Sequence, residues 1–153
     1  MNFILVPGLD VPPVIPNPDD IAREAIWEVI DGNEFAGRTV SAFYRMPVDE
    51  NGRAAYELLG PNEAAALIYS TGGTQGYVDR VDRCTVEVYA PGTAAVLVLE
   101  RIRSALTNDD HPLDLQVGYI DRIVCDVLPH DVPFPVDGIN QARAAFMVTS
   151  RLS

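Results

Sequence analysis

The sequence predicts an α+β fold, a mixed or antiparallel β-sheet with two main helices packed on one face. Three features support this prediction: a capped helix near the N-terminus, a strictly alternating strand that leads straight into an amphipathic helix, and two long alternating segments towards the C-terminus. The elements follow the order α-β-β-β-α-β-β. We expect a single α+β domain over residues 17–153, preceded by an extended Pro-rich arm over residues 1–16.

The N-terminal arm combines four prolines with large apolar residues. Proline at this density prevents helix formation and favours an extended or polyproline conformation. An arm whose side chains include Leu5, Val6 and Leu9 should not be left in water. We therefore expect it either to pack across its own domain or to dock on a neighbouring subunit.

A helix begins after the arm and runs to about Ile30. Asn17 is a suitable N-cap, Pro18 suits the first helical position, and two acidic residues follow in the first turn. The apolar stripe that we expect to be buried comprises Ala22, Ala25, Ile26, Val29 and Ile30. Trp27 falls beside that stripe. It is either an aromatic residue at the edge of the core or an anchor in a subunit interface.

Two strands are predicted next, over residues 39–46 and 64–71. The connection between them, residues 47–61, holds a turn-rich loop and one or two helical turns, and it is too long for a hairpin turn. Its apolar groups, which a solvated loop does not need, are Tyr56, Leu58 and Leu59. They pack either on the chain's own domain, as part of a short helix, or on a partner.

A glycine-rich stretch, residues 71–76, follows the second of these strands. Phosphate-binding loops also follow strands, but they lead into a helix and the P-loop type contains a lysine. This stretch leads into another strand, and the whole chain contains no lysine. We therefore expect a mobile hairpin loop rather than a nucleotide site.

The strand over residues 82–90 is expected at the centre of the sheet, and the helix that follows it is expected to pack on that strand. Alternation puts one set of side chains beneath that helix: Cys84, Val86, Val88 and Ala90. After a turn, with Thr93 or Gly92 as cap, the helix runs to about Thr107. Its predicted buried stripe consists of Ala95, Val98, Leu99, Ile102 and Leu106. Ala94 and Leu97 form a second apolar strip, which a second contact face would use.

Two more strands complete the predicted sheet. The first covers residues 115–128, where Asp121 breaks the alternation and is expected to mark a β-bulge. The second covers residues 141–152, and its inward-facing side chains are Ala142, Ala144, Phe146 and Val148. A polar connection, residues 107–112, precedes the first strand, and a Pro- and Asp-rich loop, residues 129–138, separates the two.

Composition argues against several classes of function. The net charge is −11 and all 11 cations are arginine. The acidic surplus disfavours direct binding to nucleic acid, and the absence of lysine removes Schiff-base chemistry. No apolar run approaches the roughly 20 residues needed to span a bilayer, and the N-terminal run lacks the basic start of a signal peptide. We expect a soluble protein that is made in the cytoplasm and has no membrane contact.

No catalytic, cofactor-binding or metal-binding constellation is predicted. Metal-ligand residue types occur at 109–111 and 130–131, but adjacent residues of a solvated loop rarely converge on one ion. Cys84 and Cys125 fall on the inward faces of strands and are expected to be buried free thiols. Cys125 and His130 could form a catalytic pair only if the thiol were exposed.

The order of elements and several segments resemble the tail terminator (minor tail) proteins of long-tailed bacteriophages. The segments that carry the resemblance are Tyr44-Arg45-Met46-Pro47, Ser70-Thr71-Gly72-Gly73, residues 81–106 and Phe146-Met147-Val148-Thr149-Ser150-Arg151-Leu152. The resemblance covers roughly residues 17–153. The arm and the helical turns at residues 53–59 lie outside it.

The resemblance implies a structural virion protein, usually a hexameric ring, at the head-proximal end of the tail tube. Such a ring stops polymerisation of the tube and joins the tail to the head. Its partners would be copies of itself, the major tail-tube protein and a head-completion or neck protein. DNA would pass through the bore without specific binding, past carboxylates from the loops at 47–52 or 107–112.

Two alternatives to a tail terminator stay open at this point. The first is another head–tail connector, such as an adaptor or a stopper. The second is a small ferredoxin-like enzyme or ligand-binding domain, which would need a pocket with convergent polar groups.

Overall fold

The computed structural model describes residues 18–75, 79–107, 114–115 and 118–151. Its first elements are helix α1 (Pro18–Ile30), strands β1 (Glu34–Phe35) and β2 (Arg38–Phe43), a 3₁₀ helix (Ala55–Leu58) and strand β3 (Glu63–Gln75). Then come β4 (Asp79–Pro91), α2 (Ala95–Leu106), β5 (Asp114–Leu115), β6 (Gly118–Val132) and β7 (Ile139–Arg151). The predicted α+β class and the order of its main elements are confirmed. The arm, residues 1–16, with Leu5, Val6 and Leu9, and the loop at 108–112 lie outside the described residues.

All the strands belong to one sheet, of order β1-β2-β3-β4-β7-β6-β5. Neighbouring strands are antiparallel except β2 and β3, which are parallel, so the sheet is mixed. Parallel neighbours require the chain to return to the same end of the sheet before the next strand begins. Strand β2 ends at Phe43, earlier than predicted, and residues 44–62 make this return. The connection is long because it is a crossover.

Both helices pack on one face of the sheet, which we call the inner face. The fully buried side chains of the central strands on this face are Ala64, Ala66, Ile68, Cys84, Val86, Val88, Ala90, Ala142, Ala144, Phe146 and Val148. The α2 side chains buried against them are the predicted Ala95, Val98, Leu99, Ile102 and Leu106. Burial of one Val, Leu, Ile or Phe side chain stabilises a fold by roughly 1.5–3 kcal/mol, so this layer contributes strongly to stability.

Helix α2 begins later than predicted and is capped by a distant residue. The N-cap position is Ala94, which has no side-chain hydrogen bond, so the predicted cap by Thr93 or Gly92 is wrong. The backbone N–H of Ala95 instead donates to Oδ1 of Asn140, at the start of β7, over 3.2 Å. Gly92 lies in the preceding turn with a φ of +78°, a conformation that glycine adopts without strain.

Residues 72–75 of the glycine-rich stretch form the end of strand β3, so the prediction of a hairpin loop is wrong for these residues. Gly73 pairs with Asp82 across β4. The register shifts between Ser70 and Gly73, which takes up the extra residue of a bulge, and glycine has no side chain that resists the local bend. Gly76 lies outside the described residues.

Strand β6 extends through Pro129 to Val132, where the sequence predicted a loop. Proline has no N–H to donate to a ladder, and the β6–β7 pairing shifts register at this point, so the missing donor is tolerated. The bulge predicted at Asp121 is confirmed by a register shift between Ile120 and Arg122.

Candidate functional site

A buried carboxylate, Glu87, is the centre of a polar cluster on the outer face of the sheet, opposite the helices. Its Oε1 accepts a hydrogen bond from the Tyr69 hydroxyl (2.5 Å) and lies 3.3 Å from Nη2 of Arg143. Its Oε2 accepts hydrogen bonds from the Tyr89 hydroxyl (2.6 Å) and from Nε2 of Gln141 (2.7 Å). Both oxygens are therefore fully engaged by the protein itself.

The charges of this cluster are fixed at neutral pH. Burial opposes ionisation of Glu87, but hydrogen bonds from Tyr69 and Tyr89 and the nearby charge of Arg143 outweigh it, so the pKa of Glu87 lies below its ordinary value. Burial and the hydrogen bond to Glu87 raise the pKa of Tyr69 to about 12, and the same two causes raise the pKa of Tyr89. A carboxylate with every acceptor position in use is suited to holding these side chains in place rather than to taking a proton from a substrate.

Three aromatic rings cover one end of the outer face. Tyr56, in the 3₁₀ helix of the crossover, stacks on Tyr89 with ring centroids 5.3 Å apart, and Phe134 meets both rings edge-on. The crossover therefore lies on its own domain at Tyr56, and Glu87 anchors the ring beneath it. Leu58 is 51% exposed and Leu59 is half-buried.

The outer edge of β2 is closed by the end of helix α1. The backbone N–H of Ala42 donates to Oδ1 of Asp31, and the carbonyl of Ala42 accepts from the indole N–H of Trp27. Two residues earlier, both backbone groups of Val40 bond to the backbone of residues 32–33. Trp27 thus lies at the edge of the core, and the backbone groups that a foreign strand would need are already paired.

Among the described residues, the opposite edge of the sheet, along β6, is open. Strand β5 covers β6 only at Gly118 and Tyr119, and along residues 120–132 none of the other described strands lies on the outer side of β6. The side chains of Val124 and Leu128 are 39% and 64% exposed along this stretch. The bulge between Ile120 and Arg122, the later bulges and Pro129 interrupt β6, so the regular part of the open edge is residues 122–125.

A groove of about 300 Å³ follows this edge, between β6 and the last turns of α2. Its apolar lining comes from β6, and Arg103 and Thr107 of α2 form the other wall. The lining residues of β6 are Arg122, Ile123, Val124, Cys125 and Leu128. A strand without a described neighbour beside a groove of mixed polar and apolar lining is an arrangement that can bind an added strand, with backbone hydrogen bonds for affinity and side-chain pockets for specificity.

The structure separates the two members of the Cys–His pair considered from the sequence. Cys125 pairs with Phe146 on the inner face, whereas His130 pairs with Arg143 on the outer face. Burial raises the pKa of the Cys125 thiol, although this residue is only partly buried, whereas Cys84 is buried, as predicted.

The remaining residues predicted at an interface have different environments. Leu97 is 53% exposed on α2, whereas Ala94 is partly buried against the core. Within the described part of the chain, no three His, Cys, Asp or Glu residues are grouped as a metal site, and no helix is long and apolar enough to cross a membrane. The candidates at 109–111 lie outside that part.

No protein-family model matches the chain, and no curated protein sequence matches it. The open edge of β6 and its groove, which the sequence alone does not reveal, are therefore the structural features that bear on function. The only related signal in the sequence is the Pro- and Asp-rich stretch after the predicted strand over residues 115–128, because proline is more common in edge strands than in central ones.

Proposed function

We propose that this chain is a structural subunit that assembles with copies of itself through the open edge of β6, and that the assembly is a phage tail-terminator ring. The observation that carries the assembly is the difference between the two sheet edges. Strand β2 has its outer backbone groups paired by the end of α1 and the residues after it, whereas β6 offers four regular residues, 122–125, without a described partner. Soluble proteins block long open edges unless a partner covers them.

The side chains along β6 support a protein partner. Val124 and Leu128 expose apolar surface next to the groove, in a chain that carries a net charge of −11 and could otherwise keep its surface polar. The Glu87 cluster and the aromatic cover hold the outer face rigid behind that edge. A rigid sheet with one open edge is a suitable building block, because little order has to be gained on association.

A ring is expected when each copy contacts its two neighbours through two different surfaces. When the edge of one copy meets a different surface of the next, the contact is heterologous, and repeated heterologous contacts close into a ring if the rotation permits it. The assignment to a phage tail rests on the sequence resemblance over residues 17–153. In such a ring the exposed acidic loop with Asp49 and Glu50 is our candidate for the lining of the DNA-conducting bore.

Two experiments test this proposal at its two levels. Light scattering during size-exclusion chromatography measures the mass of the purified protein, which should correspond to a closed oligomer. The variant Val124→Asp/Leu128→Asp should be monomeric and should keep the melting temperature of the wild type. Val48→Asp is the matched control, because Val48 is 62% exposed but lies in the crossover. A monomeric wild-type protein at all concentrations would contradict self-assembly.

The phage assignment is tested by deleting the gene. Loss of a tail terminator should give tails of uncontrolled length that do not join heads. Loss of an adaptor or stopper should leave tail length normal while blocking the joining, which would replace the terminator by that alternative. Normal tails joined to heads would reject both.

A further inference from the structure

We propose that the open edge of β6 receives residues 2–6 of a neighbouring copy, which add to the sheet as a strand beside residues 122–125. This inference rests on the proposed self-assembly and names the segment that performs it. It follows from where the chain leaves the described domain, from the length of the connection, and from the chemistry of the edge and the segment.

Helix α1 brings the start of the domain to the side of the open edge. Its last turn is fixed at β2 by the bonds from Trp27 and Asp31 to Ala42, and the helix also contacts β3, β4, β7 and β6. A helix of 13 residues is about 20 Å long, and β2 and β6 are four strand spacings, or about 19 Å, apart. The first residue of α1, Pro18, therefore lies over the β6 side of the sheet.

The connection that precedes α1 is long and rich in proline. Residues 7–17 include Pro7, Pro12, Pro13 and Pro16, and in the extended conformation that proline favours they span about 34 Å. The regular open edge, residues 122–125, is only about 13 Å long. A connection of that length would allow residues 2–6 to reach beyond the edge of their own subunit to that of the next.

The segment before Pro7 has the composition of an added strand. Residues 2–6 read Asn-Phe-Ile-Leu-Val, without a charge, a glycine or a proline, and aromatic and β-branched residues favour strands. Proline cannot donate to a ladder, so pairing has to stop at Pro7. Alternate side chains of the added strand would enter the groove beside Ile123 and Cys125, and the others would cover Val124.

A complementation experiment tests this directly. One variant lacks residues 2–6 and can only accept a strand; the other carries Val124→Asp/Leu128→Asp and can only donate one. Each alone should be a folded monomer, with a melting temperature close to that of the wild type. Mixed in equal amounts, they should form a one-to-one complex, which light scattering detects as a doubled mass.

A labelled peptide of residues 1–9 gives an independent measurement. It should bind the variant without residues 2–6 saturably by fluorescence anisotropy, and at least tenfold more weakly when Val124→Asp/Leu128→Asp is added. N-methylation of alternate backbone amides of the peptide should also abolish binding, because it removes ladder donors without changing the side chains. Val48→Asp is again the control and should bind the peptide normally.

Failure of this inference is distinguishable from failure of the proposed assembly. If the protein without residues 2–6 forms the same oligomer as the wild type, the segment is not the occupant of the edge, although self-assembly stands. The inference would also be overturned if the mixture of the two variants stayed monomeric and the β6 substitutions left the affinity for the peptide unchanged. A wild-type monomer would contradict the assembly itself.

Discussion

Replacing Glu87 by Gln should destabilise the domain although it changes almost no volume. The carboxylate accepts bonds from two tyrosine hydroxyls and from the Gln141 amide, and hydrogen bonds to a charged group contribute roughly 1.5–3 kcal/mol each. A glutamine keeps one acceptor oxygen, but it places an NH₂ group where another donor already points. Because the hydroxyls can rotate and recover part of the loss, we expect the free energy of unfolding to fall by about 2–4 kcal/mol.

Thermal unfolding followed by circular dichroism measures this change. For a domain of this size, 1 kcal/mol corresponds to roughly 2–4 °C, so the melting temperature of Glu87→Gln should fall by on the order of 5–15 °C. The matched control is Glu100→Gln, which removes a carboxylate from a partly exposed ion pair with Arg103 and should cost about 0–1 kcal/mol. Equal melting temperatures for Glu87→Gln and the wild type would refute the view that this carboxylate holds the outer face together.

The effect of Glu87→Gln should depend on pH with a definite sign. The folded-state pKa of Glu87 is lower than that of an unfolded glutamate, so its contribution is fully present above the unfolded pKa of about 4.3 and is lost as pH falls through the folded value. The stability difference between wild type and variant should be constant from pH 7 to about 5 and should shrink below about pH 4. A difference that grows on acidification would mean that protonated Glu87 is the stabilising form.

Three further variants test the rest of the structure. Leu99→Asp puts an unpaired charge into the fully buried α2 layer and should unfold the domain, whereas Leu97→Asp on the exposed side of the same helix should melt within a few degrees of the wild type. Trp27→Phe removes the indole donor to Ala42 and should lower stability by about 1 kcal/mol, measured by urea unfolding; no change would mean that α1 does not close the β2 edge. Asn140→Ala removes the cap of α2 and should cost on the order of 1 kcal/mol, whereas Thr93→Ala should be silent; the reverse order would restore the local cap that the sequence suggested.

Periodicity predicted the inner layer of this fold because one physical cause acts on every residue of it. The positions Val98, Leu99 and Ile102 repeat with the helical period and are all fully buried, and Val86 and Val88 repeat with the strand period opposite them. The same reasoning failed at residues 72–75 and at the cap of α2. In both places the deciding partner is remote in sequence: the pairing with β4 overrides the glycines, and Asn140 supplies the acceptor.

The candidate site shows the same limit more strongly, because an edge is a property of the assembled sheet. Alternation identifies β6 as a strand but cannot say that its neighbour on one side is β7 and that residues 122–125 have no described strand on the other. Likewise, Glu87 alternates like a solvent-facing residue, and only the register that places Tyr69 and Gln141 beside it makes the carboxylate buried. The same limit applies to residues 2–6, because their composition favours a strand but does not identify the strand beside which they would lie. In the proposed assembly these residues add to β6, which has no described strand beyond β5 on its outer side, rather than to β2, whose outer backbone groups are already paired.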